Sequence, residues 1–257
     1  MTIEAVLPAE VMSAETTTDD PIAVLFPEEE ACVSGAVDKR RREYATVRQC
    51  ARRALAALGM PPAPIPSGTG RDPLWPPGIV GSMTHCDGYR AAAVARAGTV
   101  HAIGIDAEPN DPLPNDVVRA VLTASERVAV RELADAEPGV SWDRLLFSAK
   151  EAVYKAWYPI MHTWLGFEDA EIGVHRSDGS FIAKLTVPGP DAAGSPPATL
   201  SGRWLAADGL LVTAVAPGGQ PRWVVPDVAS AVRELVGEES ATFNRSGIKK
   251  PAWRNVL

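Results

Sequence analysis

Cysteine is scarce in this sequence: three residues among 257, Cys32, Cys50 and Cys86, are too few and too unevenly spaced for a disulfide framework or a zinc pattern. A reduced, cytoplasmic protein is expected. The four histidines, His85, His101, His162 and His175, also lack ligand spacing, which sets a zinc centre aside. Positive charge is in deficit, with 25 Lys and Arg against 32 Asp and Glu and a net charge of −7. That excludes the broad basic footprint of a nucleic-acid binder. No stretch is long and apolar enough to cross a bilayer, and the first twenty residues lack a basic segment followed by an apolar one, so a soluble, unprocessed chain without membrane contact is expected. What is abundant is proline, 23 residues, and glycine, 21, so turns and extended connectors must take up much of the chain. Hydrophobic residues at 46% and charged ones at 22% still suffice for a packed core.

The pattern of apolar residues predicts a helix over Asp38–Leu58, where Val47, Ala51, Ala54, Leu55 and Leu58 recur at helical intervals and Gly59-Met60-Pro61-Pro62 stops it. A polar stripe beside that face carries Arg41, Arg48 and Arg52. It reads either as a solvated basic face or as guanidinium groups converging on one target. The Pro- and Gly-rich stretch 61–88 reads as a long surface loop, a length that tends to go with function. Tyr89–Arg96 and Val100–Ala107, joined by Ala97-Gly98-Thr99, read as a hairpin. Helices come next over Val117–Leu122, over Arg127–Leu133 with a capping box from Thr123 to Glu126, and over Trp142–Trp157. The last third reads as a meander of strands: Ile172–Arg176, Phe181–Val187, Leu200–Ala206 and Leu210–Ala216. This order predicts an α+β fold of two related halves, residues 1–110 and 111–237, with an appended tail over 238–257. No strict sequence repeat accompanies it.

Three segments concentrate chemistry. In Val100–Glu108, strand alternation puts Gly104, Asp106 and Glu108 on one face. Two carboxylates so close either sit exposed at a strand end or share a hard divalent cation, which would relieve their mutual repulsion. In Phe147–Trp157, Glu151 and Lys155 stand one helical turn apart with Lys150 beside them. They form an ordinary surface pair, or Glu151 joins Asp106 and Glu108 at a metal while the lysines neutralise phosphate oxygens. In Gly81–Gly88, His85 stands alone among small residues and by itself reads as a hydrogen-bonded structural histidine rather than a catalyst.

Together these segments resemble Sfp-type 4′-phosphopantetheinyl transferases, and most closely an actinobacterial branch. Pro73–Ala92 follows the pattern PLWPxGIVGSxTHCxGYRAA, Ile103–Glu108 follows the Ile/Val-Gly-Ile/Val-Asp-x-Glu strand, and Phe147–Lys155 follows Phe/Trp-x-x-Lys-Glu-Ala-x-x-Lys. The resemblance implies a pseudo-twofold pair of α+β halves, each with an antiparallel sheet packed on helices, and coenzyme A in the cleft between them. It implies that Asp106, Glu108 and Glu151 hold Mg²⁺ against the pyrophosphate, that His85 and Lys155 contact it with Lys150 nearby, and that Arg48, Arg52 and Arg71 grip the adenosine 3′-phosphate. Ser82 and Thr84 would add hydroxyl contacts, and Asp106, His85, Lys155 and Glu151 would carry the catalysis, Glu151 as first candidate for the base. The implied reaction transfers the 4′-phosphopantetheine arm to a serine of apo acyl or peptidyl carrier proteins of fatty-acid, polyketide or nonribosomal-peptide synthesis, releasing 3′,5′-ADP.

Two other readings stay open at this point: a Mg²⁺-dependent nucleotide or phosphate-ester hydrolase, and a non-catalytic module that binds coenzyme A or a carrier protein. The active unit is expected to be a monomer, since both implied halves lie in one chain. Carrier proteins are typically acidic, so long-range charge gives this chain no attraction to them. Tyr158–Phe167, poor in charge and rich in Met161, Trp164, Leu165 and Phe167, is therefore either part of a carrier-docking surface or ordinary core.

Overall fold

The computed structural model describes residues 3–187 and 199–216. In chain order the elements are β1 (Met12–Thr16), α1 (Pro27–Cys32), α2 (Asp38–Ala57), β2 (Ile79–Cys86), β3 (Tyr89–Arg96), β4 (Gly104–Pro109), α3 (Asn115–Val121), α4 (Ala124–Ala136), α5 (Trp142–Met161), β5 (Ala170–His175), β6 (Ser180–Leu185), β7 (Thr199–Ala207) and β8 (Leu210–Val215). The strands form two antiparallel sheets packed on helices, one three-stranded in the order β1-β3-β2 and one five-stranded in the order β4-β8-β7-β6-β5. The α+β class expected from the sequence is the one observed.

Helix α2 lies on the first sheet through Cys50, Ala51, Ala54 and Leu55, which meet Ala92 and Val94 of β3. Burying Leu55 alone contributes roughly 2 kcal/mol. The alternate residues Ala91, Ala93 and Ala95 face a second cluster with Ile103, Ile105, Ala107 and Val212. Strand β3 is therefore buried on both faces, which is why it reads as a continuous apolar run. Helix α5 packs on the second sheet through Leu145, Leu146, Ala149, Ala152 and Val153, in a cluster that includes Phe181, Leu185 and Leu211. It ends at His162, whose φ of 50° breaks the helical path.

The hairpin reading of 89–107 is corrected. Strand β3 pairs with β2 across a two-residue Asp87-Gly88 turn, whereas β4 pairs with β8, Asp106 standing opposite Thr213. Strand β2 was hidden inside the stretch read as loop because its inward side chains include Ser82 and Thr84 rather than apolar residues alone. Those hydroxyls accept the backbone N–H groups of Ile105 (3.1 Å) and Ala107 (3.1 Å) of β4. They thus stitch the two sheets together where no backbone ladder runs. Strand β1 carried no sequence signal. The capping box is present, with Glu126 N donating to Thr123 Oγ1 and Thr123 N to Glu126 Oε2.

Because β4 precedes residue 110 yet belongs to the five-stranded sheet, that sheet takes strands from both sides of the expected boundary. The tail over 238–257 and the end of the second expected segment lie outside the described residues. Among the described residues, no helix is long and apolar enough to cross a membrane.

Candidate active site

One glycine sets the distance on which the site depends. A Cβ at Gly104 would run into the Ala152 carbonyl oxygen and come within 2.7 Å of Ala156 N, so α5 can rest directly on β4 only because position 104 has no side chain. The close approach brings Lys155 of α5 to Asp106 of β4. Lys155 Nζ donates to Asp106 Oδ1 at 2.7 Å and to the Ile105 carbonyl at 3.1 Å. Thr84 Oγ1 donates to the same Oδ1 at 3.2 Å. The second oxygen of Asp106, Oδ2, is buried and has no hydrogen-bond partner among the described residues.

Glu108 lies two residues along the strand and accepts from Arg144 Nη1 at 2.8 Å, while Arg144 is itself held by the carbonyls of Asp111 and Pro112. Burial, and next the charge of Asp106, push the Glu108 carboxyl up to about 7 against the pull of Arg144. At Lys155 burial works against the charge, but the carboxylates of Asp106, Glu151 and Glu108 outweigh it and the pKa is raised. All three expected metal-ligating carboxylates therefore act on one ammonium group. Among the described residues, however, no three His, Cys, Asp or Glu side chains are grouped so as to hold a metal ion. As chemistry the donor set still suits Mg²⁺: the carboxylates are hard oxygen donors, one buried oxygen is orphaned, and Asp106 raises Glu108 in a way that a divalent cation would relieve.

His85 stands near the end of β2, and its Nε2 contacts Arg40 of α2 and lies 3.7 Å from Glu43 Oε2. Burial first, then the charges of Arg40, Lys155, Arg90 and Arg48, push the imidazole down to about 3. It is neutral at pH 7, inside a cation field that the net charge of the chain conceals. Arg40 escaped the sequence reading, although it shares a helix face with Tyr44 and Arg48 at intervals of four. Arg48 runs inward: Nε donates to the Ile65 carbonyl (2.9 Å), Nη2 to Ser67 Oγ (3.2 Å), and the guanidinium lies 3.1 Å from the Tyr44 ring centre. Burial pulls its pKa down to about 10, so it remains a cation at neutral pH. Arg71 is exposed at the tip of the loop that Ser67 begins.

The structure does not bring Arg52 and Lys150 to this cluster. Arg52 Nη1 donates to both oxygens of the fully buried Glu29 (2.9 and 3.1 Å), and its Nη2 to the Val24 carbonyl (2.6 Å). Lys150 Nζ spends its three donors on Glu126 (2.8 Å) and on the carbonyls of Val121 (3.0 Å) and Phe167 (2.7 Å). Neither can reach a phosphate without abandoning these partners. Ser82 and Thr84 are likewise buried against β4. The apolar segment after α5 divides: Leu165 is buried and Ile160, Met161 and Phe167 pack on the core, while Trp164 is 46% exposed against Tyr154, ring centres 5.1 Å apart.

Comparison with known proteins places the sequence beside one group of enzymes. Residues 28–95 match the model of the 4′-phosphopantetheinyl transferase N-terminal domain, and residues 102–194 that of the 4′-phosphopantetheinyl transferase superfamily. The chain is 48% identical over 252 residues to the 4′-phosphopantetheinyl transferase Svp of Streptomyces mobaraensis, covering 96% of this chain and 99% of that one. It is 46% identical over 221 residues to PptT of Mycobacterium tuberculosis (83% and 96%) and 47% over 222 residues to Npt of Nocardia iowensis (83% and 99%), both also 4′-phosphopantetheinyl transferases.

Proposed function

Since the chain belongs to the 4′-phosphopantetheinyl transferase family, we propose that it moves the 4′-phosphopantetheine arm of coenzyme A onto a serine hydroxyl of apo acyl or peptidyl carrier proteins. The observation that carries this reading is the Asp106–Lys155 pair, with its orphaned carboxylate oxygen, set against the cation field around His85. Coenzyme A is an anion at both its pyrophosphate and its 3′-phosphate, and the charges of Arg40, Lys155, Arg90 and Arg48 all act at His85.

In the reaction the serine Oγ attacks the β-phosphorus, and the bond from that phosphorus to the bridging oxygen breaks. The arm stays on serine, and 3′,5′-ADP leaves with the bridging oxygen. Lys155, already charged and fixed on Asp106, neutralises the leaving phosphate. His85 accepts from Arg40 at Nε2, so its proton sits on Nδ1, the atom able to donate to a pyrophosphate oxygen. Arg40, Arg48 and Arg71 meet the 3′-phosphate end. Asp106, Glu108 and Glu151 would hold Mg²⁺, which when bound supplies neutralisation of the pyrophosphate charge. Glu151, one turn before Lys155, takes the serine proton.

The three free thiols fit a reducing, cytoplasmic setting, and a single chain supplies every residue named here, so it acts as a monomer. Trp164 is the large apolar side chain exposed in the segment after α5, and it faces the carrier protein. The test is to incubate the purified protein with Mg²⁺, coenzyme A and several apo carrier proteins and measure intact mass. Addition of one phosphopantetheine group is expected. Release of 3′,5′-ADP without any carrier protein would instead make it a hydrolase, and binding of coenzyme A without turnover a binding module.

A further inference from the structure

The loop bearing Arg71 is tied at both ends and braced at its tip. At its neck Leu74 N donates to the Pro66 carbonyl (2.9 Å) and Gly68 N to that of Asp72 (2.8 Å), while Arg71 N closes the turn on Gly68 (2.9 Å). Its start is tied to α2 through Ser67 Oγ, which is 3.2 Å from both Tyr44 Oη and Arg48 Nη2. Its tip rests on α5: a Cβ at Gly70 would meet Tyr158 Oη and come within 2.6 Å of Cζ and 2.8 Å of Cε1. Gly70 is not among the glycines with positive φ, so its missing side chain is demanded by the tyrosine ring and not by the backbone. The next residue, Arg71, does hold a left-handed φ of 68°, a conformation that a non-glycine residue keeps only where its surroundings impose it.

Tyr158 follows Lys155 by three residues and so shares its side of α5. It is itself braced by Tyr154, ring centres 5.7 Å apart, and by His162, 6.1 Å away edge-on. One aromatic ring therefore links the helix that carries Lys155 to the loop that carries Arg71.

We infer that Gly70 and Tyr158 are a positioning pair, an aromatic strut that sets the span between Arg71 and Lys155 and thereby matches the site to a ligand with a second phosphate at a fixed distance from its pyrophosphate. The inference rests on the transferase reading above. It assigns the strut to selectivity for coenzyme A over 3′-dephospho-coenzyme A, which lacks that phosphate. Neither residue touches the reacting atoms.

The test compares the two cofactors in the wild type, Gly70→Ala, Tyr158→Ala and Tyr158→Phe. Gly70→Ala and Tyr158→Ala are expected to raise KM for coenzyme A about tenfold, with kcat within about twofold and KM for 3′-dephospho-coenzyme A unchanged. Tyr158→Phe keeps the ring and is expected to behave as wild type. Equal losses with both cofactors, or a fall in kcat alone, would mean that the contact merely holds the fold, and unchanged KM would mean that it does nothing; either overturns the inference. Calorimetric Kd values for the two cofactors keep the questions separate. A wild type that binds coenzyme A but modifies no carrier protein overturns the transferase reading, while the strut stands or falls on whether the Kd preference collapses in Gly70→Ala.

Discussion

Each half of the molecule contains the same buried device, built from different residues. In the first, Glu29 in the opening turn of α1 accepts from Phe26 N (2.9 Å), from Ile65 N (2.8 Å) and from Arg52 of the long helix α2 (2.9 Å). In the second, Glu126 in the opening turn of α4 accepts from Thr123 N (2.8 Å), from Ile172 N (2.8 Å) and from Lys150 of the long helix α5 (2.8 Å). A short helix, a long helix and a distant backbone N–H thus meet on one carboxylate in both. The two halves differ in the rest of the long helix. Past its staple, α5 carries Glu151 and Lys155 into the site, whereas α2 presents Arg40 and Arg48 before its staple and, after it, the exposed Arg53 and the core residues Ala54 and Leu55. A buried cation on such a helix is therefore no sign of a ligand by itself. What separates Arg52 and Lys150 from Lys155 is how fully the paired carboxylate is used: Glu29 and Glu126 spend both oxygens on internal donors, whereas Asp106 keeps Oδ2 unpartnered among the described residues.

Breaking the staples should produce the largest effects. Glu29→Gln and Glu126→Gln each leave a buried cation without its counter-charge, so each is expected to lose about 3–5 kcal/mol of stability in urea denaturation. If only one of the two does so, the halves are not equivalent. Next, Lys155→Ala is expected to lower kcat about 100-fold, about 2.7 kcal/mol of transition-state stabilisation. Lys150→Met should leave the kcat of the folded fraction close to wild type and show its effect in the melting temperature. A loss of kcat in folded Lys150→Met would return that lysine to the site. Gly104→Ala should separate α5 from β4 at a cost of about 1–3 kcal/mol, with kcat falling alongside stability because Lys155 moves away from Asp106.

The most gradual effect, absent at neutral pH, is a pH dependence. The His85 imidazole has an ordinary pKa of 6.5 and one near 3 when folded, so below about pH 6.5 the unfolded chain takes up a proton that the folded one refuses. Stability is therefore lost as pH falls from 6.5 toward 3, by up to about 1.4 kcal/mol per pH unit. His85→Asn should flatten that slope. Arg40→Gln should raise the imidazole pKa measured by NMR, whereas Lys150→Met should leave it unchanged, because Arg40 is among the cations whose charge acts on His85 and Lys150 is not.

Much of the site was legible beforehand. Asp106 and Glu108 share a strand face by alternation, Glu151 and Lys155 share a helix face by the turn, and the structure brings the fields of all three carboxylates onto Lys155. The capping box at Thr123 and Glu126 could be read from its spacing, but Glu29 could not: the residue before α1 is Phe26, whose side chain has no oxygen to complete the pattern. Strand β2 escaped because hydroxyls occupy inward positions that apolar residues usually fill. The family resemblance implied ligand contacts for Ser82 and Thr84, whereas their bonds to the backbone of β4 lie 23 residues away in sequence and leave no local signal.

What the sequence determined by itself is therefore local: the long helices, the closing meander, and which chemical groups share a face. Tertiary structure decided which face meets what. Lys150 and Lys155 are five residues apart, about 140° around the helix, so one of them had to turn from the carboxylates. The choice was made by Glu126 and by the absence of a side chain at Gly104. Arg52 went to Glu29 and Arg40 to His85 in the same way, because the partner that claims a charge comes from another part of the chain, and spacing along one helix carries no record of it.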